Sequence, residues 1–477
     1  MTERSPYLSA VALRALVEDG TVSARELVEG ALARIAELDS ATTAVVAVRA
    51  EAAISEAKAA DELPAEQRGA LHGVPVLLKD LTETTDLPTT YGSRALKDNY
   101  APAEAVVVTR LREAGAIVVG TTNTPETGLR PTTENLLFGA TRNPWNLEHS
   151  PGGSSGGAAV ALALGMVPLA QATDAAGSGR IPASCCGVVG LKPTRGRVPL
   201  APASYELMAG MGTIAPMARS VEDTALLLDA MSGPVLGDPY AIAGSRGATF
   251  ADAVSRPPSR SRIGLCMTPP HGTLSPEVRE VVAAAAGAFA DLGHTLTDAD
   301  VDFSGLRDPV FTVCAATAAA IVDTVPHDRL GLLEGSTLAL ARRGWLKTAA
   351  DHVAAVSTMR NESARLLRAM ADYDYIVTPT LTQPPPRVDA FPSAEDLDTR
   401  WREYLDWMAF VYPVNCTGQP AISIPAGQTA AGLPVGLQII GRIGDDAGVL
   451  ALAAAFAQAR PWSAQHPPEP VAVAPAR

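Results

Sequence analysis

Two adjacent serines, Ser154 and Ser155, stand in the stretch SPGGSSGGAAVALALG (150–165), bracketed by Gly152, Gly153, Gly156 and Gly157. A hydroxyl on so bare a backbone is accessible to a carbonyl, so nucleophilic acyl transfer is the chemistry to consider. A serine hydroxyl is too weak an acid to lose its proton unaided near neutral pH, and a base must activate it. Residues 152–156 match G-x-S-x-G, the nucleophile elbow of α/β-hydrolases, with Ser154 as the attacking residue. Ser155 satisfies the same pattern one position on. An elbow also needs a strand before it, and NPWNLEHSP (143–151) reads as turns.

A second template uses more of the chain. Lys79 lies upstream in GVPVLLKD, and TDAAGSGRIPASCCGVVGLKPTRGRV places Ser178 24 residues after Ser154. TENLLFGATRNPWN before the serines and GLPVGLQIIGRIGDD near the end complete the pattern. Together these segments resemble the amidase signature family of serine hydrolases, from about residue 25 to 462. The resemblance implies a Ser–cisSer–Lys triad. Ser178 would be the nucleophile, Ser154 a bridging serine after a cis peptide from Gly153, and Lys79 the base. It further implies an oxyanion hole of backbone N–H groups from Ala175, Ala176, Gly177 and Ser178. Asp174 and Arg180 would hold that loop, and Ser155 would support the relay. Gly128, Leu129 and Arg130, in TNTPETGLRPTTEN, match a loop bordering the scissile carbonyl. Cys314, Tyr412, Asn415 and Cys416 are further pocket candidates by position. The implied fold is a mixed, twisted central β-sheet covered on both faces by helices.

The chemistry is coherent from below. A lysine serves as a base only when neutral, and an apolar setting such as VPVLLK disfavours its charged form. A hydroxyl both donates and accepts, so a second serine can pass a proton between base and nucleophile. Taken singly, Lys79 reads as a surface or ion-paired lysine and Ser178 as a helix N-cap; only the constellation assigns them roles. Two positions depart from the family pattern. Ala176 stands where glycine is common, a mild change if its φ is negative. Gly179 replaces a bulky aliphatic beside the nucleophile, which predicts a wider pocket.

The elements that must position these residues follow from periodicity. Residues 8–60 read as helices, with Ser23 as an N-cap and Leu27, Ala31, Ile35 and Leu38 on one stripe. HGVPVLLKDL is a β-type run carrying Lys79. AVVVTRLREAGAIVVGTTN reads as helix, glycine turn and buried strand, an α/β alternation. Residues 236–370 read as an alanine-rich helical insert with one strand at RSRIGLC. Strand character returns in DYIVTPT, PAISIPA and LPVGLQIIG, and GDDAGVLALAAAFAQA is a last helix. The expected organisation is one domain. N-terminal helices span about 8–60, a catalytic core 65–235, a variable helical segment 236–370, a return to the sheet 371–462 and an extended tail 463–477.

Composition bounds the rest. The 477 residues are 47% hydrophobic and 19% charged, with a net charge of −13. Nucleic-acid and anionic-membrane partners reward clustered Lys and Arg, so neither is expected. The N-terminus has no basic segment leading into an apolar run, and no uninterrupted apolar run of spanning length is seen, predicting a cytoplasmic protein. Five scattered cysteines without CxxC, and seven histidines without HxH or HExxH, indicate neither disulfides nor a metal. No cofactor is expected. The expected partner is a small amide or carbamate, acted on by a monomer or homodimer. IPASCCGVVGLKP points to the family branch containing hydrolases of cyclic nylon oligomers, so hydrolysis of a linear or cyclic amide is the leading expectation. Carbamate or ester hydrolysis on the same triad is the nearest alternative. A glutaminase subunit of a tRNA amidotransferase and an elbow hydrolase using Ser154 stand further off.

Overall fold

A computed structural model of the chain describes residues 6–242, 248–390 and 397–470. The N-terminal region is helical as its periodicity demands. Helices Ala10–Glu18, Ala24–Thr42 and Ala50–Asp61 follow one another, and Ser23 forms a reciprocal capping box with Glu26. Between the last two lies a short strand, β1 (Val45–Val48), that the periodicity did not reveal. Four residues are too few to show an alternation.

The remaining strands are β2 (Pro75–Lys79), β3 (Ile117–Thr122), β4 (Glu134–Asn135), β5 (Gly139–Ala140), β6 (Leu169–Thr173), β7 (Val189–Lys192) and β8 (Ile214–Ala218). Then come β9 (Arg262–Leu265), β10 (Thr295–Asp298), β11 (Tyr375–Pro379), β12 (Ala421–Gln428) and β13 (Pro434–Ile440). Among the described residues, β4 and β5 form a small hairpin. The other eleven make one sheet in the order β1-β3-β2-β6-β8-β7-β12-β13-β11-β9-β10. The sheet is mixed: β2 runs parallel to β3 and β6, whereas β7, β12 and β13 pair antiparallel.

Both faces are apolar and covered. Along β2, Leu77 joins one core cluster while Val76 and Leu78 join the other. Strand β3 alternates the same way, Val119 on one side and Val118 on the other. This is the pattern of a sheet buried on two sides. Truncating Leu77 or Leu78, both fully buried, would cost about 2–5 kcal/mol each. The helix Gly156–Ala163 lies entirely in the interior, contacting β1, β2, β3, β6 and β8. Its glycines permit that approach: a Cβ on Gly157 would stand 2.4 Å from the Ala44 carbonyl oxygen and 2.5 Å from the Asn123 nitrogen.

The middle of the chain carries the strand expected at RSRIGLC as β9 and adds one that was not expected, β10; both extend the sheet from β11. Its helices include Arg307–Thr324, Gly335–Trp345 and Ala349–Ala369. The stretch Ser304–Thr324 is long and apolar enough to cross a membrane by length and composition. Arg307 and Asp308 had hidden this by interrupting the run. The helix instead packs Val310, Val313, Ala315, Ala318 and Val322 into the core against its two neighbours. Beyond the final helix, Asp446–Ala459, residues 461–470 carry no helix or strand, and His466 stacks on Tyr7; residues 471–477 of the expected tail lie outside the described residues.

Candidate active site

Lys79 ends β2 and is fully buried. Its backbone N–H donates to Gln171 Oε1 (3.0 Å), which fastens the strand end to β6. Its Nζ donates to Ser154 Oγ (2.7 Å) and to Thr173 Oγ1 (2.8 Å). Burial pushes the ammonium well below the usual 10.5, and the Asp174 charge opposes this only in part. Lys79 is therefore neither exposed nor in an ion pair among the described residues, and its burial disfavours the charged form.

Ser154 follows a cis Gly153–Ser154 peptide. A Cβ on Gly153 would meet the Thr132 backbone at 2.8–2.9 Å, so only glycine fits. No strand leads into this turn; Ser155 caps the helix Gly156–Ala163 after a run of loop. The strand–turn–helix elbow is thus ruled out by geometry. Ser154 faces a lysine rather than a histidine, and His149 Nδ1 is engaged with the Pro385 carbonyl (2.8 Å). Ser155 Oγ donates to the Thr173 carbonyl (3.2 Å), and its N–H donates to the Ser178 carbonyl (3.2 Å). These bonds lay the two serine segments side by side.

Ser178 is half-buried on the loop between β6 and the helix Arg180–Cys186. The N-cap of that helix is Gly179, so the Ser178 hydroxyl is not spent on capping. The loop is shaped by Asp174, which is fully buried. Its carboxylate accepts from the N–H groups of Gly177 (2.8 Å), Gly179 (3.2 Å) and Arg180 (3.3 Å), and from the Arg180 guanidinium at 2.9 Å through both Nε and Nη2. Burial alone would raise this carboxyl; Arg180 and Asn415 overcome that and hold it at about 2. Arg180, equally buried, reaches the Val411 carbonyl (3.0 Å), Gln438 Oε1 (2.6 Å) and Asn415 Oδ1 (2.6 Å).

This wiring corrects the expected oxyanion set. The Gly177 N–H points at Asp174 and cannot receive an oxyanion. Among the described residues, the N–H groups of Ala175, Ala176 and Ser178 have no acceptor, so three of the four expected donors stand open. Gly177 is needed for another reason: its φ is +115°, and a Cβ there would lie 2.4 Å from Val411 Cγ2. Ala176 keeps a negative φ, the condition for a mild change. Gly179 does not widen a pocket. Its missing side chain would point at Ala215 Cβ (3.2 Å) and the Asp174 carboxylate (3.5 Å), beneath the loop.

The remaining candidates divide. Gly128, at φ +72°, abuts Ser154, whose Oγ is 3.4 Å from the position a Cβ would take. Leu129 packs against the core, and Arg130 is held in ion pairs with Glu334 (3.0 Å) and Glu134 (3.5 Å). Asn415 is not a pocket-lining residue. Its amide donates to the Asp174 carbonyl and carboxylate, both 2.9 Å, so it belongs to the loop's support. Cys314, Cys416 and Tyr412 are buried in the core. Burial lifts both thiols to about 12. The Tyr412 hydroxyl is enclosed without a hydrogen bond.

Three contributors escaped the sequence reading: Thr173 beside Lys79, Gln171 under the strand end and Gln438 against Arg180. Thr173 opens TDAAGSG and Gln438 sits within GLQIIG, both in stretches that carry the resemblance, whereas Gln171 lies in neither. What was missing was the pairing of β2 with β6 and of β12 with β13.

The chain belongs to the amidase family, whose model matches residues 26–450; it is a hydrolase of carbon–nitrogen bonds. It is 36% identical to an acylamidase from Rhodococcus erythropolis over 99% of this chain and 100% of that protein. It is also 36% identical to a 6-aminohexanoate-cyclic-dimer hydrolase from Paenarthrobacter ureafaciens, over 98% of each. A solved structure of a 6-aminohexanoate cyclic dimer hydrolase with its substrate superposes with a TM-score of 0.91 at 34% identity, covering 97% of this chain and 99% of the other.

Proposed function

We propose that Lys79, Ser154 and Ser178 form a Ser–cisSer–Lys triad that hydrolyses a linear or cyclic amide through an acyl-enzyme. The observation that carries this reading is the 2.7 Å contact between the buried Lys79 amine and Ser154 Oγ. Neutral Lys79 takes a proton from Ser154 as Ser154 takes one from Ser178. The Ser178 oxygen bonds to the carbonyl carbon. The resulting oxyanion is held by the open N–H groups of Ala175, Ala176 and Ser178, fixed in place before reaction. The proton returns along the same path to the leaving nitrogen, the C–N bond breaks, and water then releases the acyl group by the reverse relay. Ser155 and Thr173 orient the relay, while Asp174, Arg180 and Asn415 shape the oxyanion loop. Residues 6–470 act as one catalytic unit, with Gly128 bordering the scissile carbonyl.

The names of the relatives support an amide over a carbamate as first choice. The five cysteines are free and buried, in keeping with a reducing, cytoplasmic setting. A monomer or homodimer without cofactor is sufficient for this chemistry. The deciding experiment is a hydrolysis screen of the purified chain with aryl anilides, primary amides, cyclic amides and carbamates, run beside Ser178→Ala. Amide turnover lost in Ser178→Ala supports the reading. Turnover of carbamates alone would redirect it, and labelling of Ser154 instead of Ser178 by a sulfonyl fluoride would overturn it.

A further inference from the structure

We infer that Glu334, from the middle segment, is a positioning residue that holds the Gly128 loop against Ser154. The inference rests on the triad proposed above. Glu334 stands at the N-terminus of the helix Gly335–Trp345, yet its side chain does not cap that helix. The carboxylate turns away and is almost fully buried. One oxygen pairs with Arg130 Nη2 (3.0 Å), and the other accepts the Leu136 N–H (2.9 Å). Its own backbone N–H donates to Glu126 Oε2 (2.9 Å), and Glu126 Oε1 accepts from Ser93 Oγ (2.7 Å). Glu334 is therefore tied to both ends of the segment 126–136.

That segment needs tying. Thr127 has φ +52° and Gly128 φ +72°, two consecutive left-handed residues, the first of them β-branched. A threonine in this region stores strain and persists only where its surroundings hold it. Gly128, directly after the strained Thr127, borders Ser154: a Cβ there would lie 3.4 Å from the Ser154 Oγ. Glu126 on one side and Arg130 on the other are the handles by which Glu334 grips it. The same ion pair walls a cavity of 380 Å³ that opens two residues beyond Gly128. A second fastening, Arg329 Nη1 to the Ala95 carbonyl (3.2 Å), docks the approach to Glu334 on the Ser93 side. A side chain some two hundred residues from this loop in the chain thus sets where the backbone beside the relay stands.

The test measures inactivation of the full chain by phenylmethylsulfonyl fluoride, separating binding (KI) from bond formation (kinact), beside the thermal midpoint. Glu334→Ala is expected to lower kinact about tenfold or more, since small misplacements near reacting groups carry such costs, with KI little changed. Glu334→Gln keeps an acceptor for Leu136 and is expected to recover most of kinact. Arg130→Met approaches the same contact from the other side and carries the same expectation if Glu334→Ala does not fold. Folded Glu334→Ala or Arg130→Met labelling with wild-type kinact would overturn the inference. So would losses that follow the thermal midpoint and are not rescued by Gln. Failure of wild-type protein to label at Ser178 would instead strike the triad itself.

Discussion

Lys79 combines two demands that usually conflict. Burial that suits it to the proposed role of base also makes it a liability, because burial disfavours a charge that the unfolded chain carries freely. Two outcomes follow. Activity should rise with pH through a pKa well below 10.5, and Lys79→Ala should remove that limb along with several powers of ten in rate. Stability behaves in the opposite sense to an ordinary lysine. Below about 10.4, the unfolded value, the native state is penalised; above it the penalty disappears. Lys79→Met should therefore gain most in thermal midpoint over wild type near neutrality, with the gap narrowing as pH rises. A gap independent of pH would show that Lys79 is charged in the fold. Asp174 has the contrary linkage. Held at about 2, its stabilisation is complete above the unfolded value and is lost as pH falls through 2. Asp174→Ala leaves the Arg180 charge buried and unpaired, a loss of about 3–5 kcal/mol that chemical denaturation would read directly.

Helices and strands were legible to different degrees. Ser23 with Glu26, the amphipathic helix Ala24–Thr42 and the strands bearing Lys79 and Gln438 could be read because each carries its own period or cap. β1, set between two helices, and the polar β10 (TLTD) were not, although β9, equally four residues long, was legible in RSRIGLC. The proposed triad was readable only as a constellation: no local pattern distinguishes Lys79 from a surface lysine. The two roles assigned to glycines beside Ser178 were not readable, because direction decides them. Gly177 faces Val411 at positive φ, while Gly179 faces Ala215 at φ −91°. Substitution should separate them. Gly179→Ala should stay within about 1 kcal/mol of wild type, as at other positions whose dihedrals alanine accepts. Gly177→Ala, which sets a methyl 2.4 Å from Val411 Cγ2 at φ +115°, should cost on the order of 3 kcal/mol. Equal midpoints for the two variants would contradict these packing directions.

At the scale of the whole molecule, the proposed triad draws its base, its relay and its nucleophile from protein side chains. On that reading, turnover should survive exhaustive dialysis against EDTA; a loss reversed by added zinc would call for another mechanism. The sheet also has a seam. Its strands β1, β2, β3, β6, β7 and β8 come from the first half of the chain and β9 to β13 from the second, joined where β7 meets β12. Arg180 lies on the early side of that seam, and its partners Val411, Asn415 and Gln438 come 231, 235 and 258 residues later.

That separation has a meaning during synthesis on the ribosome. A nascent chain exposes all three residues of the proposed relay once position 178 has left the exit tunnel. Arg180, which braces the Asp174 loop, still lacks Val411, Asn415 and Gln438 at that stage. The loop therefore acquires its full bracing only when the last strand, β13, has emerged.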